Sequence, residues 1–149
     1  MALENIKSNE TDFADLLFVL MHLCNKSVRK KILNKEEINK IAEKMVSLIQ
    51  TSNSLRVREK GFDVWRVLKT EVGLNEIFST IKNLIESQDG KVWESNQSFV
   101  EFALHFIPYK KAMEDKFWDY LKSIKDDTIK KRYERLIMKL SEDRMKLNP

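Results

Sequence analysis

The sequence predicts an all-α protein, and three observations predict it. Only 3 Gly and 2 Pro occur in 149 residues, too few turn-formers for a sandwich or barrel of short strands. Apolar residues recur three and four positions apart through most of the chain, which is the helical period and not the alternation of strands. Hydrophobic residues make up 42% and charged residues 34% of the chain, enough apolar material for a folded core and too much for a disordered chain.

The elements follow in order. Residues 1–10 are polar and aperiodic and read as a flexible lead-in to a single helical domain over 11–149. Thr11 is a suitable N-cap, with Asp12 near the positive helix end. The first helix runs to Cys24 or Asn25 and carries Phe13, Leu16, Leu17, Leu20, Met21, Leu23 and Cys24. That wide apolar arc suits a helix with neighbours on two sides. Residues 26–33 are short and basic and suit a single helical turn. Asn34 with Glu37 forms a capping-box pattern, and Ile38, Ile41, Ala42, Met45, Val46, Leu48 and Ile49 follow at helical spacing.

After the turn Thr51–Ser54, a third helix carries Val57, Gly61, Val64, Trp65, Leu68 and Val72, with Gly73 as the left-handed residue that ends it. Leu74, Ile77, Phe78, Ile81, Leu84 and Ile85 mark a fourth helix. Val92, Phe99, Phe102, Ala103 and Phe106 mark a fifth, stopped by Pro108. Met113, Phe117, Leu121 and Ile124 predict a sixth. Asp126 or Asp127 caps a seventh, carrying Ile129, Tyr133, Leu136, Ile137 and Leu140.

Net charge is +4, spread thinly along the chain: +1 over residues 1–50, zero over 51–100 and +3 over 101–149. No segment has the density of a phosphate-neutralising arm. The single cysteine, Cys24, lies in an apolar run and reads as a buried thiol. That usage fits a reducing intracellular compartment, cytoplasmic or nuclear. The run Phe13–Cys24 is too short to span a membrane, and the acidic residues before it do not suit a signal peptide.

An internal echo organises the chain. A polar turn, a β-branched residue and a basic or aromatic residue recur at Asn25–Arg29, Ser54–Arg58, Asp89–Trp93 and Asp127–Lys130. The intervals between Val28, Val57, Val92 and Ile129 are 29, 35 and 37 residues, each the length of one helical hairpin. This pattern resembles the HEAT and armadillo repeat families over residues 25–147. Ser54–Val72 and Asp89–Phe106 resemble first helices of such repeats, and Leu74–Ile85 and Met113–Ile124 second helices. The proline common inside such helices is missing. The resemblance implies antiparallel hairpins stacked as a short α-solenoid of about seven helices with a curved face; a compact helical bundle is the alternative.

Catalytic chemistry is not legible. His22 and His105 lack ligand partners at metal spacing and sit in apolar helices. The three glycines stand alone at 61, 73 and 90, so there is no phosphate-cradling loop. Adjacent acids such as Glu36–Glu37, Asp126–Asp127 and Glu142–Asp143 point apart on a helix and do not converge. No catalytic, cofactor or metal residue is expected.

Binding features remain. Basic residues recur at the hairpin openings, among them Arg29, Lys30, Arg56, Arg58, Lys91, Lys130 and Lys131. Stacked hairpins would line them along one ridge, either as a solvated face or as a track for phosphate or acidic peptide. Trp93 and Trp118 sit beside the main apolar stripes, placed for core packing or for a binding hot spot. Arg132, Arg135, Lys139, Arg144 and Lys146 give the last helix a basic character, suited either to complementing the helix dipole or to docking on a membrane surface or an acidic partner. The expected function is a non-enzymatic protein-binding scaffold or adaptor that grips a partner peptide or helix. The alternative is a nucleic-acid-binding protein using the basic ridge.

Overall fold

The computed structural model describes the backbone of residues 2–106, 115–116, 119–120 and 122–147, and the side chains of 11–105, 115–116, 119–120, 122–136 and 138. Six helices and no strand occur among the described residues: α1 (Ala2–Arg29), α2 (Lys35–Thr51), α3 (Leu55–Val67), α4 (Leu74–Ile85), α5 (Gly90–Phe106) and α6 (Asp127–Leu147). The all-α expectation is met. The count of about seven is left open by the described residues: of the helix expected around Met113–Ile124, Met113, Phe117 and Leu121 lie outside them, as does Pro108. Asp115, Lys116, Asp119, Tyr120, Lys122 and Ser123 there have helical backbone.

Local chemistry sets most boundaries. The Asn34 side chain accepts from the Glu37 amide at 2.8 Å, and the Glu37 carboxylate accepts from the Asn34 amide at 3.2 Å. Two donors that the first turn of α2 cannot satisfy are thereby paired reciprocally. Ser54 caps α3 by accepting from the Val57 amide at 3.3 Å. Asp126, not Asp127, caps α6, accepting from the amides of Thr128 and Ile129 at 2.9 and 3.1 Å.

Three boundaries differ from the sequence reading. Helix α1 begins at Ala2, so the polar segment before Thr11 is helical. It also continues past Asn25 to Arg29, where a Schellman motif ends it: the Ile32 amide donates to the Ser27 carbonyl, the Lys31 amide donates to Val28, and Lys31 is left-handed at φ 55°. Helix α3 ends at Val67, with Lys69 left-handed at φ 54°. Gly73 therefore does not close α3. It stands at the start of α4, where its carbonyl accepts from the Ile77 amide at 3.0 Å, and its φ of 84° is the left-handed value expected of it.

The chain divides into two compact units, Met1–Thr80 and Ile81–Pro149. In the first, α3 packs on both α1 and α2. Its core includes Ala14, Leu17, Ile49, Phe62, Val64 and Trp65. The Trp65 indole N–H donates to the Val72 carbonyl at 2.8 Å, so the buried ring keeps its polar end satisfied. Asp63, a buried carboxylate, accepts from the Nε and an Nη of Arg66 at 3.2 and 2.8 Å; paired burial is the condition under which a charge is tolerated inside. Cys24 is buried, and burial pushes its thiol pKa up.

The second unit packs α5 on α6 around Phe99, Val100, Ala103, Tyr133 and Leu136, with Ile81 and Ile85 from the end of α4 also buried.

The breadth of the apolar arc on α1 has a different meaning from the one expected. Ala14, Leu17 and Cys24 are buried, but Phe13, Leu16, Val19 and Leu23 are exposed. Among the described residues only one of its two apolar sides is covered.

Candidate functional site

In the second unit a groove of about 520 Å³ runs beside α6, lined by Trp93, Thr128, Lys131, Arg132, Glu134, Arg135 and Met138. Its construction follows from helix geometry. Thr128, Lys131, Arg135 and Met138 are three, four and three residues apart, so they fall on one strip of α6. Trp93 enters from the first turn of α5. Asp89 fixes that turn by accepting from the Lys91 amide at 2.9 Å and offering its carbonyl to the amides of Val92 and Trp93.

Arg132 joins the two sides. One guanidinium nitrogen donates to the carbonyls of Ile85 and Ser87 at 2.8 and 2.7 Å, and the guanidinium carbon lies 5.4 Å from the centre of the Trp93 ring. The last carbonyls of α4 lack intrahelical donors and carry the negative end of the helix dipole, so a cation donating to them is well placed. The same cation over the indole face adds a cation–π attraction. Trp93 is buried, and its ring is held as part of the groove wall. Met138 is exposed, while Lys131 and Arg135 stand exposed on the same strip. Apolar wall and cationic rim are the complement of a segment carrying an apolar side chain and nearby carboxylates.

Elsewhere in this unit, Tyr120 and Tyr133 meet edge to face with centroids 5.3 Å apart, and the Lys82 ammonium lies 5.2 Å over the Tyr120 ring. Burial pushes both phenols well above their usual pKa; the negative charge of Glu86 adds to the rise at Tyr120.

The first unit has a second concavity of about 450 Å³, lined by His22, Asn25, Lys26, Arg29 and Lys30. It lies over the last two turns of α1 and the residue that follows.

The residues singled out from sequence fall into separate places. Trp93 and Lys131 meet at the first groove, and Arg29 and Lys30 at the second. Arg56 is exposed and pairs with Asp15 at 3.2 Å. Arg58 is half-buried, and burial lowers its pKa. Lys91 and Lys130 are exposed on the first turns of α5 and α6. Trp118 lies outside the described residues, and the side chains of Lys139, Arg144 and Lys146 do so too. The partners that sequence reasoning passed over are Thr128 and Met138; the signal was their three-four-three spacing with Lys131 and Arg135.

Among the described residues no group of three or more His, Cys, Asp or Glu is placed to hold a metal ion, and no helix is long and apolar enough to cross a membrane. No protein family, no curated protein and no solved structure matches this chain.

Proposed function

We propose that this chain is a non-enzymatic protein-binding scaffold or adaptor, and that the groove beside Trp93 takes an acidic, apolar-anchored segment of its partner. The observation that carries this reading is the conjunction of Trp93 and Met138 with Lys131, Arg132 and Arg135 around one groove. Apolar anchors seated in a pocket supply most of the affinity at protein interfaces, while rim charges supply orientation and partner choice. Arg132 is held by Ile85 and Ser87, which leaves two cations, Lys131 and Arg135, and one carboxylate, Glu134, as the charges that meet the partner. The HEAT-like reading belongs to the same proposal. The packing of α3 on both α2 and α1 is the next-but-one contact that stacked hairpins make.

The test is selection from a random peptide library on the whole protein. Enriched peptides should carry one large apolar residue flanked by Asp or Glu. The double reversal Lys131→Glu/Arg135→Glu should weaken them at least ~10-fold, about 1.4 kcal/mol, with no change in melting temperature. Selected peptides without acidic residues, or affinities indifferent to the reversal, reject the groove as the site.

A second reading rests on the other concavity, where Lys26, Arg29 and Lys30 converge with His22. It would serve a phosphate backbone. Nucleic-acid binding there would fall on the order of 10³-fold between 50 and 200 mM salt for six phosphate contacts. A flat salt response rejects it.

A further inference from the structure

On α1 the apolar residues Phe13, Leu16, Leu20 and Leu23 are three, four and three positions apart. This is the a/d spacing by which one helix seats knobs into a second helix. Phe13, Leu16 and Leu23 are 40%, 66% and 57% exposed, and Val19 beside them is 54% exposed. The stripe is centred about a third of a turn round α1 from Ala14, Leu17 and Cys24, which face the core, and Phe13 and Leu20 border that core face. The other exposed aromatic of this helix, Phe18, is already served: the His22 ring meets it edge to face at 4.6 Å and the Lys60 ammonium lies 5.1 Å from its centre. The Leu16 stripe is thus a helix-pairing seam with no helix on it among the described residues.

The charges beside the seam specify the occupant. Asp12 and Lys26 are both exposed and flank the stripe on the Val19 side. Each is seven residues from Val19, one toward either end. If a second α1 lies parallel on the first, Asp12 faces Asp12 and Lys26 faces Lys26. If it lies antiparallel about a two-fold axis between Phe18 and Val19, Asp12 of each copy comes within one residue of level with Lys26 of the other, and Phe13 and Leu16 come equally close to Leu23 and Leu20, an offset of about 1.5 Å along the helix. Apolar register and charge are satisfied together in the antiparallel arrangement alone. The surface is self-complementary, as a two-fold interface requires.

We propose that the outer stripe of α1 is a self-association surface, and that a second copy of this chain packs its own α1 antiparallel upon it. This stands apart from the groove beside Trp93, which uses none of these residues.

Sedimentation equilibrium on the whole protein tests it, with helix content followed by circular dichroism. At about 100 µM, a concentration that reveals micromolar association, the wild type should have the mass of two chains. Leu16→Glu, a change at an exposed position, should give one chain with unchanged helix content. Asp12→Lys places two like-charge pairs in the antiparallel dimer and should weaken association at least ~10-fold. Asp12→Lys/Lys26→Asp exchanges the charges and should restore it to within ~3-fold of wild type. A wild type with the mass of one chain overturns the proposal, and so does an Asp12→Lys variant that associates as tightly as wild type. A double variant no better than the single also overturns it, because the pairing is then not antiparallel.

Discussion

Arg132 lies over the Trp93 ring at 5.4 Å while donating to the carbonyls of Ile85 and Ser87. One side chain of α6 therefore caps the end of α4 and fixes the groove wall supplied by α5. Removing it leaves two partly buried carbonyls without that donor and an indole without its cation. Arg132→Ala should cost about 2–3 kcal/mol of stability in urea unfolding. Arg132→Lys should recover part of that loss, since an ammonium offers a charge and a donor but no planar fork. An alanine variant as stable as wild type would show the cap to be idle.

Gly61 and Gly73 should respond oppositely to alanine. A Cβ at Gly73 would strike the Val46 side chain, on a backbone at φ 84°. Gly73→Ala should destabilise by roughly 2–3 kcal/mol, from the left-handed penalty plus the displaced valine. Gly61 lies inside α3, and a Cβ there would meet Ile49 at an ordinary 3.6 Å. Gly61→Ala should stabilise by about 0.5–1 kcal/mol. Thermal melts of the two variants check both signs.

Lys31 is exposed and left-handed at φ 55°, at the position after α1 where glycine is favoured. Lys31→Gly should stabilise by about 0.5–1 kcal/mol, because relief of the left-handed strain exceeds the added chain entropy of the unfolded state. Lys31→Val should destabilise, since a β-branched residue is least suited to that backbone.

Alkaline pH should unfold the protein through its buried acids. Burial raises the pKa of Tyr133 above its ordinary value, and the same cause raises Cys24. A group with a raised folded pKa contributes stability that is complete below its unfolded pKa and declines as pH rises past it. Stability should begin to fall above about pH 8.5 for Cys24 and more steeply above about pH 10 for Tyr133, their unfolded values. Tyr133→Phe should flatten the decline above pH 10 in urea midpoints taken from pH 7 to 11. An unchanged slope would place the alkaline sensitivity elsewhere.

Some of this molecule is legible in the sequence because its causes are local. The Asn34–Glu37 box, the Ser54 cap and the aspartate at the start of α6 each act within three residues, so residue type and spacing suffice. The helical class follows for the same reason, since the apolar period repeats every three to four residues. The ends of α1 and α3 are less legible. Lysine at a left-handed position gives no signal of the kind glycine gives, so Lys31 and Lys69 hid the stops while Gly73 suggested a false one.

The sequence by itself determined that the chain is helical, where α2 begins and which residues carry charge. Only the tertiary structure decided which apolar stripe of α1 is covered, that Trp93 is buried beneath a cation, and that Arg132 is bound while Lys131 is exposed. The reason is range. A cap is settled by neighbours within one turn, whereas the capping of Ile85 by Arg132 joins residues 47 apart. Two apolar stripes on one helix look alike in sequence until another helix buries one of them.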